Sequence, residues 1–223
     1  MINHSKTVII ACSSLTEYVA AAQKKAGTDF PVVWLNRVYH RDPAEMQAHI
    51  KEKLAALPAG TETVLVAMGF CGGSWNQVRS RFRLVLPRID DCVSLLLQTT
   101  DTPQSNLKKM DHLYVRDKNP GRESFKAIFD RLAVNVDEAT KQKYYESWKK
   151  SFRCISIMDT GINDSRRPEY AAVVKKDADW LEAEMEYVAG GTHLLEKLFS
   201  GQWDAQFLVL EPDCPVEKEE MLI

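Results

Sequence analysis

The chain has 223 residues, 45% of them apolar and 27% charged, and a formal net charge of −2. That size and balance fit a soluble globular protein built as one large domain or two small lobes sharing a core. The near-neutral charge gives no electrostatic footing for nucleic acid or an anionic membrane as a partner. The opening stretch MINHSKTVIIACSSL is too briefly apolar for a secretory signal or a membrane span. Its five cysteines, without an export signal, are expected as free thiols, metal ligands or a nucleophile in the cytoplasm.

Apolar β-rich runs alternate with helical patterns, which predicts an α/β fold: a parallel or mixed sheet with helices on both faces. A first strand over residues 6–11 leads into a helix over 13–26 that Gly27 ends. PVVWL at 31–35 reads as a second strand, after which Asp42 caps a helix with Pro43 in its first turn, running to about residue 57. TVLVAM at 63–68 is the third strand, and the loop 69–74 opens a short helix. FRLVL at 82–86 is the fourth, closed by Pro87, and Asp90 or Asp91 caps a helix over 92–98. This half resembles part of a doubly wound fold.

The middle is more polar, with breaks at Pro103, Pro120 and Gly121 around a short strand at 112–115. Helical patterns over 122–133 and 137–152 carry Phe125, Phe129, Tyr145 and Trp148, read as packing stripes rather than a cofactor cage. Strands return at 154–158, 186–189 and 207–210, separated by helices over 168–184 and 192–199. The α/β rhythm thus repeats, predicting two similar lobes, about 1–110 and 111–223, in one compact unit.

Several motifs are absent. No GxGxxG follows the first strand, and GFCGGS lacks the Lys and the length of a phosphate-binding loop. There is no HExxH, CxxC or GxSxG, nor the DxHxxG that places a histidine under a corrinoid.

What stands out is Cys12, Cys71 and Cys92, each just after a predicted strand or at the mouth of a helix. In an open parallel sheet the carboxyl ends of the strands face one crevice, where distant residues meet. Three thiolates there suit zinc, copper(I) or an iron–sulfur cluster and leave a coordination position open. A cysteine taken alone is more often a small buried apolar residue than a ligand, and the coincidence of three strand-end positions is the stronger signal. Gly69, Gly72 and Gly73 allow the positive φ and close backbone approach that aim N–H groups and the Cys71 thiol at a bound group, or simply close a tight turn. Cys92 sits at a helix start that favours a thiolate. Asp91 lies beside it, and Arg88 offsets the acids. His40, just before a helix cap, serves as ligand or general base, or is a surface-loop histidine. Asp159 ends a strand, where it orients a ligand or hydrogen-bonds a substrate, or caps the next turn. Cys154 reads as core and Cys214 as a fourth ligand or a tail residue. His193 reads as structural, and His4, His49 and His112 have no supporting context.

At these positions the chain resembles a family filed under a domain-of-unknown-function label, DUF1638. The resemblance lies in the strand ending Ala11-Cys12, Tyr39-His40-x-Asp42-Pro43, Gly69-Phe70-Cys71-Gly72, Pro87-Arg88-Ile89-Asp90-Asp91-Cys92, Asp159-Thr160-Gly161 and Gly201-Gln202-Trp203-Asp204, in that order along nearly the whole chain. Asp90 stands where many relatives carry His. The resemblance implies a companion of corrinoid-dependent methyltransferase systems, with a corrinoid protein or methyltransferase as partner and a small-molecule substrate. The leading expectation is a metal centre, an iron–sulfur cluster before zinc, on Cys12, Cys71 and Cys92. The alternatives are a metal-free enzyme using Cys71 or Cys92 with His40 as base, and a non-enzymatic accessory protein.

Overall fold

The computed structural model describes residues 2–116 and 124–222, so the predicted breaks at Pro120 and Gly121 and the predicted helix start at 122 lie outside the described residues. The chain divides into two compact units, Met1–Leu107 with Gly191–Ile223, and Lys108–Gly190.

In the first unit β1 (Thr7–Cys12) is buried along its whole length, and a 3-10 turn at Ser13–Leu15 leads into α1 (Thr16–Ala26). Gly27, at φ 66°, ends that helix in the left-handed conformation and donates its N–H to the last turn. β2 (Val32–Leu35) follows, then a 3-10 turn at Arg37–Arg41 and α2 (Pro43–Ala55). Asp42 caps α2 as predicted, Oδ1 accepting from the N–H groups of Ala44 and Glu45. β3 (Thr63–Ala67) and β4 (Arg83–Pro87) are buried apolar runs, as expected of parallel strands covered on both faces. The short helix predicted after β3 is instead a 3-10 turn, Cys71–Gly73. Positive φ at Cys71, Gly72, Gly73 and Gln77 is incompatible with a continued helix. α3 (Cys92–Leu97) completes the half-fold, and its cap is Asp91 rather than Asp90.

In the second unit β5 (His112–Arg116), α4 (Phe125–Leu132), α5 (Glu138–Ser151), β6 (Cys154–Asp159), α6 (Pro168–Leu181) and β7 (Glu184–Ala189) build an all-parallel sheet of order β5-β6-β7. Glu182, at φ 53°, stops α6 three residues earlier than its pattern suggests, in time for β7 to begin at Glu184. Val115, Ile155, Ile157, Tyr170, Val174, Ala178 and Leu181 form the core. The predicted aromatic stripe is packing: Phe129 lies 5.4 Å from Trp148 and 5.2 Å from Trp180, and Tyr145 donates to the Trp180 carbonyl.

The chain then returns to the first unit with α7 (His193–Ser200), β8 (Phe207–Leu210) and α8 (Lys218–Met221). The first sheet has the order β2-β1-β3-β4-β8, parallel except for β8, which runs antiparallel to β4. Residues 191–223, expected in the second lobe, thus belong to the first. A buried cation fastens them. Lys197, 7% exposed, donates to Asp101 at 2.7 Å, Asp204 at 2.5 Å and Gln206 at 2.7 Å. Those bonds hold its pKa up against the downward pull of burial.

Chain direction from β1 to β2, then back past β1 to β3, sends α1 and α2 to opposite faces under right-handed crossover. The reversal makes the carboxyl ends of β1 and β3 a topological switch point, the place where an open α/β sheet holds ligands. Among the described residues no helix is long and apolar enough to cross a membrane.

Candidate metal centre

Four side chains reach this edge from four neighbouring strand ends. In sheet order they are His40 after β2, Cys12 at the end of β1, Cys71 after β3 and Cys92 after β4. The donor atoms of Cys12, His40 and Cys92 all lie within 4.8 Å of one another.

Local sequence holds each in place. Cys12 is buried, its sulfur accepting from the Ser14 N–H at 3.4 Å and lying 3.1 Å from Ser14 Oγ. Ser13 Oγ accepts from the Arg37 N–H at 3.0 Å, tying the turn that carries His40 to the end of β1. Asn36 Oδ1 starts that turn by accepting from Val38, and Tyr39 stacks on His49 of α2 at 3.8 Å. His40 Nε2 consequently meets Cys12 Sγ at 3.1 Å. The thiols are buried and the imidazole is exposed, so the group opens to solvent on the histidine side.

Cys71 and Cys92 are joined by two loops in backbone contact. Phe70 N–H donates to the Ile89 carbonyl at 2.8 Å and Cys71 N–H to that of Asp90 at 2.7 Å. Gly69 makes this approach possible, since a Cβ there would lie 2.4 Å from Asp91 Cα. Asp91 Oδ1 accepts from the N–H groups of Val93 and Ser94, setting Cys92 as the first residue of α3. Gly72 and Gly73, at φ 70° and 95°, turn the chain beyond Cys71, and a side chain on Gly72 would press on Pro43.

The thiols act on one another. Cys12 is pushed up to about 12, first by its hydrogen bond with Cys92 and then by burial, against a downward pull from His40. For Cys92 the bond with Cys12 pulls down, but the bond with Cys71 and burial outweigh it and also push it up to about 12. Gly69 N–H pulls the Cys92 sulfur the other way. Left to themselves these thiols stay protonated near neutrality. A cation among them reverses this, because metal binding displaces thiol protons.

The donor set fits such an ion. Tetrahedral zinc, with Zn–S near 2.3 Å and Zn–N near 2.0 Å, places adjacent donors roughly 3.6 Å apart. The 3.1 Å separation of Cys12 and His40 needs only a few tenths of an ångström of relaxation. Thiolate and imidazole together are donors that transition-metal ions, zinc among them, accept.

The model of the family described as "Protein of unknown function (DUF1638)" matches residues 34–199, which include His40, Cys71 and Cys92. The chain belongs to the DUF1638 family. No curated protein and no solved structure matches it. Membership therefore supplies a family and no reaction, and in this DUF1638 protein the chemistry is read from the side chains.

The other predicted residues are placed as follows. Arg88 is partly buried, its backbone N–H donating to the Gln206 carbonyl, and its Nε has no hydrogen-bond partner among the described residues. Asp91 is the α3 cap, with Oδ1 engaged as above. Asp159 closes β6 in the second unit, its carboxylate 3.7 Å from Arg166 Nε. Cys214 is exposed beyond β8, and Cys154 begins β6. His193 lies 2.9 Å from the Asp101 carboxylate at the start of α7, the structural place expected of it. Sequence reasoning passed over Ser14, for which the Ser-Ser pair after Cys12 was the available signal. The close backbone approach expected of the glycines around Cys71 is made at Gly69, against Asp91.

Proposed function

We propose that this DUF1638 protein binds a single zinc-type ion through Cys12, Cys92 and His40, with the Cys71 thiol beside Cys92 as the fourth, exchangeable ligand. The observation that carries the reading is the meeting of a nitrogen and two sulfurs within 4.8 Å at the switch point of the first sheet. The iron–sulfur cluster expected from the cysteines alone fits less well. A 4Fe–4S cluster binds each cysteine through a different iron and spreads the sulfurs further than one ion does, whereas two thiols and an imidazole meeting this closely suit one tetrahedral ion.

Cys12 and Cys92 are the anchoring thiolates, and His40 supplies the solvent-facing nitrogen. Gly69 and Asp91 hold the two loops in register, and Gly72 and Gly73 turn the chain beyond Cys71. A bound ion of this kind supplies Lewis-acid polarisation of a small ligand at its exchangeable position. Cys92 as a metal-free nucleophile is disfavoured, since that role needs a thiol that ionises near neutrality and Cys92 is pushed up to about 12. The biological setting we propose is prokaryotic one-carbon metabolism linked to corrinoid methyl transfer, with a methyltransferase or corrinoid protein as partner. What supports that setting is the family resemblance alone.

Anaerobic purification followed by metal and acid-labile sulfide analysis tests the reading. The expected result is zinc without sulfide, with one equivalent lost in Cys92→Ser. Iron with sulfide would replace the single ion by a cluster, and no metal with all three thiols freely alkylated would end the proposal.

A further inference from the structure

The second unit holds another cluster of metal-ligating side chains, at the starting ends of its strands. His112 is the first residue of β5 and Cys154 the first of β6, and the parallel register sets them side by side. One step across, Ser156 pairs with Glu186 of β7. Positions two apart along a strand share a sheet face, so His112, Cys154, Ser156 and Glu186 all project to one side. His112 Nδ1 lies 3.1 Å from Glu186 Oε1 and 2.7 Å from Ser156 Oγ, and Ser156 donates to Glu186 at 2.9 Å. The donor atoms of His112, Cys154 and Glu186 lie within 4.8 Å of one another.

Burial and surroundings separate this group from a chance ion pair on a wet surface. The His112 side chain is 10% exposed and Cys154 6%, while Glu186, at 36%, forms the open side. The group borders a cavity of about 840 Å³ lined also by Lys109, Asp111, Lys149 and Arg153. Asp111 Oδ1 stands 3.6 Å from His112 Nε2. Asp111 thus faces the ring nitrogen opposite the proposed donor, though beyond hydrogen-bond distance.

We infer that His112, Cys154 and Glu186 form a second divalent-metal site of zinc type, with Nδ1, Sγ and Oε1 as donors and the fourth position open to the cavity. A neutral imidazole nitrogen, a thiolate sulfur and a carboxylate oxygen together carry the two negative charges that neutralise a doubly charged cation. The 3.1 Å separation of Nδ1 and Oε1 is close to the roughly 3.3 Å edge of a tetrahedral zinc site. Three protein ligands with a vacancy facing a cavity is the arrangement of a reactive rather than a structural zinc. Ser156 steadies the carboxylate, and the open position takes water or one donor atom of a small ligand.

The test is equilibrium dialysis of the full chain against zinc under reducing conditions, comparing wild type with His112→Ala, Glu186→Gln and Cys92→Ser. Wild type is expected to hold two zinc ions per chain, and His112→Ala and Cys92→Ser one each. Glu186→Gln changes a half-exposed side chain and carries the test should His112→Ala not fold. It is expected to weaken one of the two ions by at least about 100-fold, since loss of a ligand costs no less than the 10–100-fold that loss of an outer-shell partner does. Wild-type stoichiometry and affinity in folded Glu186→Gln would overturn the second site. So would a wild type holding a single ion that Cys92→Ser abolishes. Unchanged stoichiometry in Cys92→Ser, with one ion lost in His112→Ala, would leave this site standing and remove the first.

Discussion

The two thiol-containing clusters sit at opposite ends of their strands and are built by opposite means. In the first unit the donors ride on loops beyond the carboxyl ends of β1 to β4, and turn chemistry aims them: Ser13 and Asn36 hold the His40 turn, Gly69 admits the Asp91 backbone, and Asp91 caps α3. In the second unit the donors stand within or at the first residue of β5, β6 and β7, and ladder register alone brings them together. Loop-borne sites leave marks in a sequence, because glycines, caps and prolines are needed at fixed places. A strand-borne site leaves none, since its residues look like any others on a pleated face.

The sharpest break of this contrast is at Gly69. A Cβ 2.4 Å from Asp91 Cα meets backbone that has no slack, so Gly69→Ala is expected to destabilise the first unit by about 3 kcal/mol and to separate Cys71 from Cys92. Gly60→Ala, where nothing lies within 4 Å, is the matched control and is expected to be near neutral. Urea unfolding of both variants, together with their zinc content, reads the difference.

Proton displacement sharpens the contrast next. Between pH 7 and 8 the zinc affinity of the first site is expected to climb at least about 100-fold, and that of the single-thiol Cys154 site about tenfold, one factor of ten for each thiol proton released, two of them from Cys12 and Cys92. Dialysis of His112→Ala and Cys92→Ser isolates the two slopes, and equal slopes would contradict the ligand assignment. Stability follows with a defined sign. Cys12 and Cys92 are raised from an ordinary 9.0 to about 12, so in the metal-free chain the folded state holds protons that the unfolded state has shed. Their contribution is complete below pH 9 and is lost as pH rises toward 12. The zinc-loaded chain, its thiols already deprotonated, is expected to lack that decline in thermal scans.

The smallest effects compare a cap with a ladder. Asp91→Ala removes two N-cap hydrogen bonds and is expected to cost about 1 kcal/mol together with a measurable loss of zinc affinity, because Cys92 is the first residue of the helix it caps. Ser156→Ala removes the hydroxyl that donates to Glu186, at a similar cost of about 1 kcal/mol. It is expected to leave the first site unchanged.

This explains what was legible in the sequence. Continuous apolar β-rich runs and the caps at Asp42 and Gly27 carry local information, so the strands, helices and α/β class could be read directly. The gathering of Cys12, Cys71 and Cys92 followed from the strand-end rule. His40 was recognisable by its place before the Asp42 cap. The role of 191–223 was not legible, because pairing of β8 with β4 and the grip of Lys197 on Asp101 and Asp204 are contacts across the sequence. The helix predicted after β3 failed on backbone conformation, since positive φ at Cys71 and Gln77 is not announced by residue type. His112 and Cys154, taken as unsupported and as core, gain meaning only from the register that aligns them.

The central claim is that sulfur and imidazole from separate strand ends share one ion. Zinc-edge X-ray absorption on His112→Ala, which retains only the first site, tests it most directly. The account predicts two or three sulfurs near 2.3 Å and one imidazole nitrogen near 2.0 Å around a lone metal. A coordination shell of oxygen and nitrogen alone, or no metal in a folded chain with reduced thiols, would contradict it.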